Sequence, residues 1–209
     1  MGGQVTYPKF PSIPRFNKPV IVTEKIDGTN GQVLIWDAAE GNRPDVSALG
    51  VRASTDRGDY LLAAGSRNRW LSLESDNFGF AAWVTANADA LADTLGEGQH
   101  YGEWWGPGIQ RGYGLKERRF SLFNASRWQD AYEAEILNNV PGLDVVPVLG
   151  KYDGQWVSSA VEMSMYQLET QGSVASPGFM RPEGVVVYHT AANQPFKMTF
   201  DNPEGKWSA

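Results

Sequence analysis

The segment Glu24-Lys25-Ile26-Asp27-Gly28-Thr29-Asn30-Gly31 (EKIDGTNG) lies between two β-branched runs, Val20–Thr23 and Gln32–Trp36. Its reading decides the fold. Asp-Gly flanked by such runs is a turn signal, because both residues tolerate the dihedrals of a tight reversal. The segment therefore reads as two strands joined by a turn. Lys25 is then either a surface lysine on the shoulder of that turn or a nucleophile presented by it. Lys-x-Asp-Gly alone does not choose, since four loosely constrained residues recur by chance.

Working outward, the proline-rich start Tyr7–Pro14 excludes helix and predicts an extended arm over residues 1–19. Gly50–Ser54, Tyr101–Trp105, Phe120–Phe123, Val145–Leu149, Gly184–Tyr188 and Phe196–Phe200 read as further short strands. Asn77–Leu95 is alanine-rich with apolar residues at helical spacing. Ala125–Asn138 reads as a second helix, with Asn124 or Ser126 able to cap it. Ser159-Ala160-Val161-Glu162 reads as a capping box opening a third helix through about Gln171. Strands and helices do not alternate regularly, which argues against a doubly wound sheet. The expected class is α+β, mostly antiparallel sheets flanked by helices. Without repeats or a low-complexity linker, one domain over 1–209 is expected, with no separate C-terminal nucleic-acid-binding domain.

Composition narrows the function. The 209 residues include no cysteine, so disulfides and thiolate metal sites are excluded, and only two histidines remain. No apolar run is long enough to span a bilayer, and no signal peptide is evident. Met1–Thr6 fits only the loose myristoylation pattern, for which an unstructured start is the simpler account. A formal net charge of −6 argues against an extended grip on a nucleic-acid backbone. Arg111, Lys116, Arg118 and Arg119 form the one local basic cluster, equally readable as a phosphate-tracking patch or a solvated loop.

The downstream residues change the standing of Lys25. EKIDGTNG (24–31), GSRNRW (65–70), YGEWWGPGIQ (101–110), RRFSLFN (118–124), PEGVVVY (182–188) and PFKMTF (195–200) stand in order along the chain. Together they resemble the motifs of the covalent nucleotidyltransferase superfamily of ATP-dependent ligases and capping enzymes. Within it, Thr29-Asn30 and Gly106–Gln110 point to RNA ligases, and the chain looks most like the bacteriophage RNA ligase 2-type family. The resemblance implies an ATP-grasp-like nucleotidyltransferase (adenylation) domain. It also implies ATP as AMP donor, Mg2+ or Mn2+, and RNA with 5′-phosphate and 3′-hydroxyl ends, a nicked duplex among them. A monomer in the cytoplasm is expected, that of a host cell if the chain is phage-encoded.

By the same resemblance Lys25 forms a lysyl–AMP phosphoramide, and Glu24, Ile26 and Asn30 belong to the nucleotide pocket around it. Arg67 lies near the phosphates and holds a nucleic-acid 5′-phosphate. Glu103 binds the ribose hydroxyls, Phe123 stacks on adenine, Glu183 binds the metal, and Lys197 contacts the α-phosphate. An attacking lysine must lose its proton, which costs roughly 4–5 kcal/mol at neutral pH from a reference pKa near 10.4. Burial and nearby cations, Lys197 and the metal, are expected to lower that cost. Read alone, Arg67 is a loop arginine and Phe123 a core residue, whereas a carboxylate between Gly102 and Trp104 needs a partner. His100 and His189 have no ligand-like spacing.

The chain departs from the family pattern in carrying Asn124 where Asp is usual, and a single lysine, Lys197, where two are usual. Pro195 or Thr199 fills the other slot, and the register with Pro195 there is preferred. These departures keep open a DNA-ligase-like enzyme, or a domain that binds ATP or adenylylates without ligating alone.

Overall fold

The computed structural model of the chain describes residues 10, 12–39 and 49–201. Ten strands form two sheets. One has four strands in the order β10-β9-β1-β8, and the other has six in the order β3-β4-β2-β5-β6-β7. The ranges are β1 Val20–Lys25, β2 Thr29–Asp37, β3 Val51–Thr55, β4 Gly58–Ser66, β5 Gly98–Trp105, β6 Arg119–Leu122, β7 Leu143–Val145, β8 Val148–Tyr152, β9 Gly184–His189 and β10 Gln194–Thr199. The helices are α1 Phe80–Ala86, α2 Ala88–Leu95, α3 Ala125–Glu133 and α4 Val157–Gln171. Every strand pair is antiparallel except β6 with β7. The α+β class expected from the sequence is the one observed.

Side-chain alternation assigns each sheet two faces. In the smaller sheet Val20, Val22, Val185 and Val187 pack on Ala160 and Leu168 of α4, which leaves Thr23 and Lys25 on the opposite face. In the larger sheet Val33, Ile35, Leu62, Ala64, Trp104 and Phe120 pack with Phe80, Leu91 and Trp128 of the other helices. Asn30, Gln32 and Glu103 therefore point from the helix-free face. Each sheet is thus covered by helix on one side and carries polar groups on the other.

Several local expectations are corrected. Asp27-Gly28 does not close a hairpin: β1 and β2 belong to different sheets, and Ile26–Gly28 is the crossover between them. The turn chemistry was local, whereas β1 finds its partners in β8 and β9, far along the chain. Glycine at 28 is needed for close approach, since a Cβ there would lie 2.6 Å from the Trp104 carbonyl oxygen. β4 was not foreseen because its core, Leu61–Gly65, is leucine- and alanine-rich rather than β-branched. The Val145–Leu149 run is two strands in two sheets, broken at Val146-Pro147, where proline supplies no N–H.

The helix expected over 77–95 starts at Phe80 and breaks at Asn87 into α1 and α2, with the Asn87 side chain donating to the Trp83 carbonyl. Asp76 caps its start by accepting from the N–H groups of Ala81 and Ala82. α3 is capped by Asn124, whose Oδ1 accepts from the Arg127 N–H, and it stops before Glu135 (φ 60°); a short 3-10 turn, Ile136–Asn139, follows. α4 begins at Val157 without a side-chain cap, so the Ser159 capping box does not form. Residues 1–9 and 11 of the expected arm, with the myristoylation-like start, lie outside the described residues. Residues 12–19 are neither helix nor strand, and the Phe16 and Pro19 carbonyls accept from His189 Nε2 (3.0 Å) and the Thr190 N–H (3.2 Å).

Candidate active site

Lys25 ends β1 on the helix-free face, next to the crossover. Its Nζ lies 2.6 Å from Glu183 Oε2, both side chains being about one-fifth exposed. Glu183 directly precedes β9, and Lys25 pairs with Gly184, so the sheet register itself brings the two charges together. Glu103 lies across the crossover, where its Oε1 accepts from the Gly28 N–H at 3.0 Å. Asn30 is its neighbour in the β2–β5 register. Burial pushes the Glu103 carboxyl up to about 7, against the opposing pull of Lys25 and the Gly28 N–H, while Glu183 and Asp27 push the same way as burial. Lys25, Glu183, Glu103 and Asp27 thus form one electrostatic cluster.

Lys197 lies on β10 beside Val186, which pairs in turn with Thr23, so Lys197 is on the same face as Lys25. Pro195 and Thr199, the two candidate slots for a second lysine, share that face. Phe123 follows β6 on the face of Ser121 and Glu103, and is 40 % exposed, compatible with a stacking surface. Ile26 is buried in the main core. Arg67 lies in the exposed turn after β4, closed by the Ser66 N–H donating to the Arg69 carbonyl. Trp104 and Trp105 are buried packing residues. Asn124 spends its side-chain oxygen on capping α3, a task that Asp performs equally well.

Other residues turn out differently placed. The Glu24 carboxylate, 1 % exposed, points to the α4 side of the sheet and accepts from Ser173 Oγ (2.6 Å) and the N–H groups of Val174 (2.8 Å) and Ala175 (2.9 Å). Burial raises its pKa, and those three donors oppose the shift. The signal was present in the sequence: Val20, Val22 and Glu24 share one strand face, so the carboxylate had to be buried and to find donors. Lys25 is flanked by a carboxylate, not by the cation that the sequence led one to expect there.

The basic cluster is dispersed. Arg111 Nε donates to Asp27 Oδ2 (2.9 Å), Nη1 to the Arg181 carbonyl (3.2 Å) and Nη2 to Asp201. Burial opposes the Arg111 charge, yet Asp27 and Asp201 hold its pKa above the ordinary value. Arg119 approaches Asp144. Arg118 donates to the carbonyls of Pro107 and Phe78. Of these four, Lys116 and Arg118 have no acidic partner among the described residues. Sequence reading also missed Tyr113, a buried residue whose hydroxyl accepts from the Asp27 N–H at 2.9 Å and so braces the Lys25 crossover from behind. Burial raises the Tyr113 pKa, so the phenol stays protonated.

Two helix-flanked antiparallel sheets, with a lysine at their crossover and facing carboxylates, define a nucleotidyltransferase-type architecture. The RNA ligase family model matches residues 18–199, and the chain belongs to that family. Its fold is similar to that of a Naegleria gruberi RNA ligase with PPi (TM-score 0.60, 17 % identity, covering 88 % of this chain and 50 % of that one). Two variants of the Naegleria gruberi RNA ligase are also similar. One, with ATP and Mn, has TM-score 0.57 and 16 % identity over 88 % of this chain and 50 % of that one. The other, with AMP and Mn, has TM-score 0.54 and 16 % identity over 89 % and 51 %. The chain spans about half the length of these solved relatives. No curated protein matches it in sequence. Among the described residues no helix is long and apolar enough to cross a membrane.

Proposed function

We propose that this chain is the adenylyltransferase unit of an ATP-dependent RNA ligase of the bacteriophage RNA ligase 2 type, acting in RNA repair. The observation that carries the reading is the meeting of Lys25 and Glu183 at 2.6 Å, opposite Glu103, from three motifs dispersed along the chain. A structural lysine beside a turn needs no such convergence.

In the proposed reaction Lys25 Nζ, having lost a proton to solvent, attacks the α-phosphorus of ATP. An N–P bond forms, the α–β bridging P–O bond breaks, and pyrophosphate leaves. AMP then passes to a 5′-phosphate of RNA. A 3′-hydroxyl attacks that phosphate, AMP departs, and the strand is sealed. Before the first step the Lys25–Glu183 ion pair holds Nζ in place, and it must open for attack. Glu103, once ionised, offers two acceptor oxygens to the ribose hydroxyls. Phe123 supplies an aromatic face for adenine, Lys197 a cation for the α-phosphate and Arg67 one for the nucleic-acid 5′-phosphate. The pocket is completed by the backbone of Glu24 and Ile26 and by the side chain of Asn30.

The donor set suits Mg2+ or Mn2+. Among the described residues no group of three or more His, Asp or Glu is arranged to hold a metal ion by itself. Glu183 offers one carboxylate, and these ions commonly combine one or two protein carboxylates with water and phosphate oxygens. A bound divalent ion would supply charge neutralisation for the phosphates and for Glu183.

With radiolabelled ATP and magnesium, the protein should yield a covalent protein–AMP band that is absent from Lys25→Ala. Equal labelling of that variant would sink the mechanism. Sealing of nicked duplex RNA in preference to nicked DNA is expected, and the opposite preference would remove the RNA assignment but not the nucleotidyltransferase one.

A further inference from the structure

The back of the larger sheet carries a feature that the adenylylation chemistry does not use. Trp83, Trp104, Pro107, Lys116, Glu117 and Arg118 are among the residues that line a cleft of about 440 Å³. Trp104 adjoins Glu103 on β5 but points to the opposite face of the sheet. The two indoles pack together, with ring centroids 5.4 Å apart. Both indole N–H groups are already engaged, Trp83 with the Pro141 carbonyl (2.8 Å) and Trp104 with that of Phe78 (2.9 Å). What the cleft offers is therefore the ring face of half-buried Trp83, backed by the buried Trp104, and not hydrogen-bond donors.

The rim carries two cations, Lys116 and Arg118, against one carboxylate, Glu117, and so is positive on balance. Arg118 is fixed by the carbonyls of Pro107 (3.0 Å) and Phe78 (2.8 Å), which orient a guanidinium without neutralising it. Neither Arg118 nor Lys116 has a carboxylate partner among the described residues. Flat apolar wall plus unneutralised cations is the chemistry of a base and its phosphate. Cleft and catalytic centre are also linked, because the β5–β6 connection presents Arg111 to Asp27 at one point and lines the cleft with Lys116 and Arg118 at another.

We propose that this cleft is a stacking site for one nucleotide of the RNA strand, away from the ends being joined. The inference rests on the RNA-ligase reading and adds a subsite to it. Stacking of one base contributes about 1–3 kcal/mol, too little to hold a free nucleotide at micromolar concentration. The cleft therefore acts on a strand already held by its 5′-phosphate beside Arg67, where effective concentration makes a weak contact count.

The test is binding of a short 5′-phosphorylated single-stranded RNA, 3′-labelled with a fluorophore, to the full chain without ATP. Trp83→Leu, which keeps apolar volume, should weaken binding roughly tenfold. Lys116→Gln, an exposed change that leaves folding intact, should lower the slope of log affinity against log salt by roughly 0.7. A photoreactive thiouridine strand should crosslink to the peptides containing Trp83 or residues 116–118. Crosslinks confined to the Lys25 and Arg67 peptides, or an unchanged salt slope in Lys116→Gln, overturn the proposal. Competition by AMP alone at micromolar concentration overturns it too, because the cleft would then be a mononucleotide site. Failure of the underlying reading looks different: wild-type protein then forms no protein–AMP adduct.

Discussion

Glu103→Gln should make the protein more stable at alkaline pH and of little use as an enzyme. The wild-type carboxyl is 9 % exposed and titrates at about 7, against 4.5 when free of the fold. Between those two values the folded chain holds a proton that the unfolded chain has released, so stability falls as pH rises from about 4.5 to about 7 and is level above. A displacement of that size corresponds to about 3 kcal/mol of destabilisation at pH 7 and above, taken as an upper figure because local relaxation reduces it. A glutamine carbonyl can still accept from the Gly28 N–H without carrying charge. Urea denaturation of both proteins at about pH 5 and about pH 8 should show a gap that opens at the higher pH by up to about 3 kcal/mol, or about 6–12 °C in Tm. The adduct yield of Glu103→Gln should fall most above about pH 7, where the wild-type carboxyl is ionised, because the ribose then loses its charged acceptor. If the stability gap is equal at the two pH values, Glu103 is not a buried carboxylate held against its solvation, and the reasoning fails.

Three further outcomes follow from the geometry. Gly28→Ala would set a Cβ 2.6 Å from the Trp104 carbonyl oxygen and 2.9 Å from Glu103 Cγ, so unfolding free energy should drop by roughly 1–3 kcal/mol in denaturant titration, with adduct formation lost in parallel. Glu24→Ala leaves the hydroxyl of Ser173 and the N–H groups of Val174 and Ala175 without their acceptor, at about 2–3 kcal/mol, and limited proteolysis should then cut within residues 172–181. Phe123→Ala removes a half-exposed ring, so Tm should barely move while the ATP concentration for half-maximal adduct rises roughly 5- to 100-fold.

Lys25, Glu103 and Glu183 were legible because each is a charged residue at a place where an apolar strand or tight turn gives it no structural task. Asp27-Gly28 was misread as a hairpin because turn propensity describes a few residues, and only the distant strands β8 and β9 decide which sheet β1 joins. Arg111 could not be read correctly for the same reason. Its partners Asp27 and Asp201 stand far from it in the chain, and a basic cluster in sequence carries no record of which carboxylates fold onto it. β4 escaped because a strand buried between two neighbours need not alternate, and Leu61–Gly65 has none of the β-branched residues that would have marked it.

The crossover has a mechanical consequence. Among the described residues the chain steps directly from strand to strand between the two sheets at Ile26–Gly28 and again at Val146-Pro147, and the two steps are tied by the Glu24 N–H donating to the Pro147 carbonyl at 2.9 Å. They make a short double-stranded hinge with Lys25 at its edge. If one sheet tilts on the other, the nucleophile, sitting at the pivot, is displaced least. β10 lies two strands from β1, about 10 Å at the usual spacing, so Lys197 swings through the widest arc. Any such tilt would therefore change the Lys25–Lys197 separation mainly by moving Lys197.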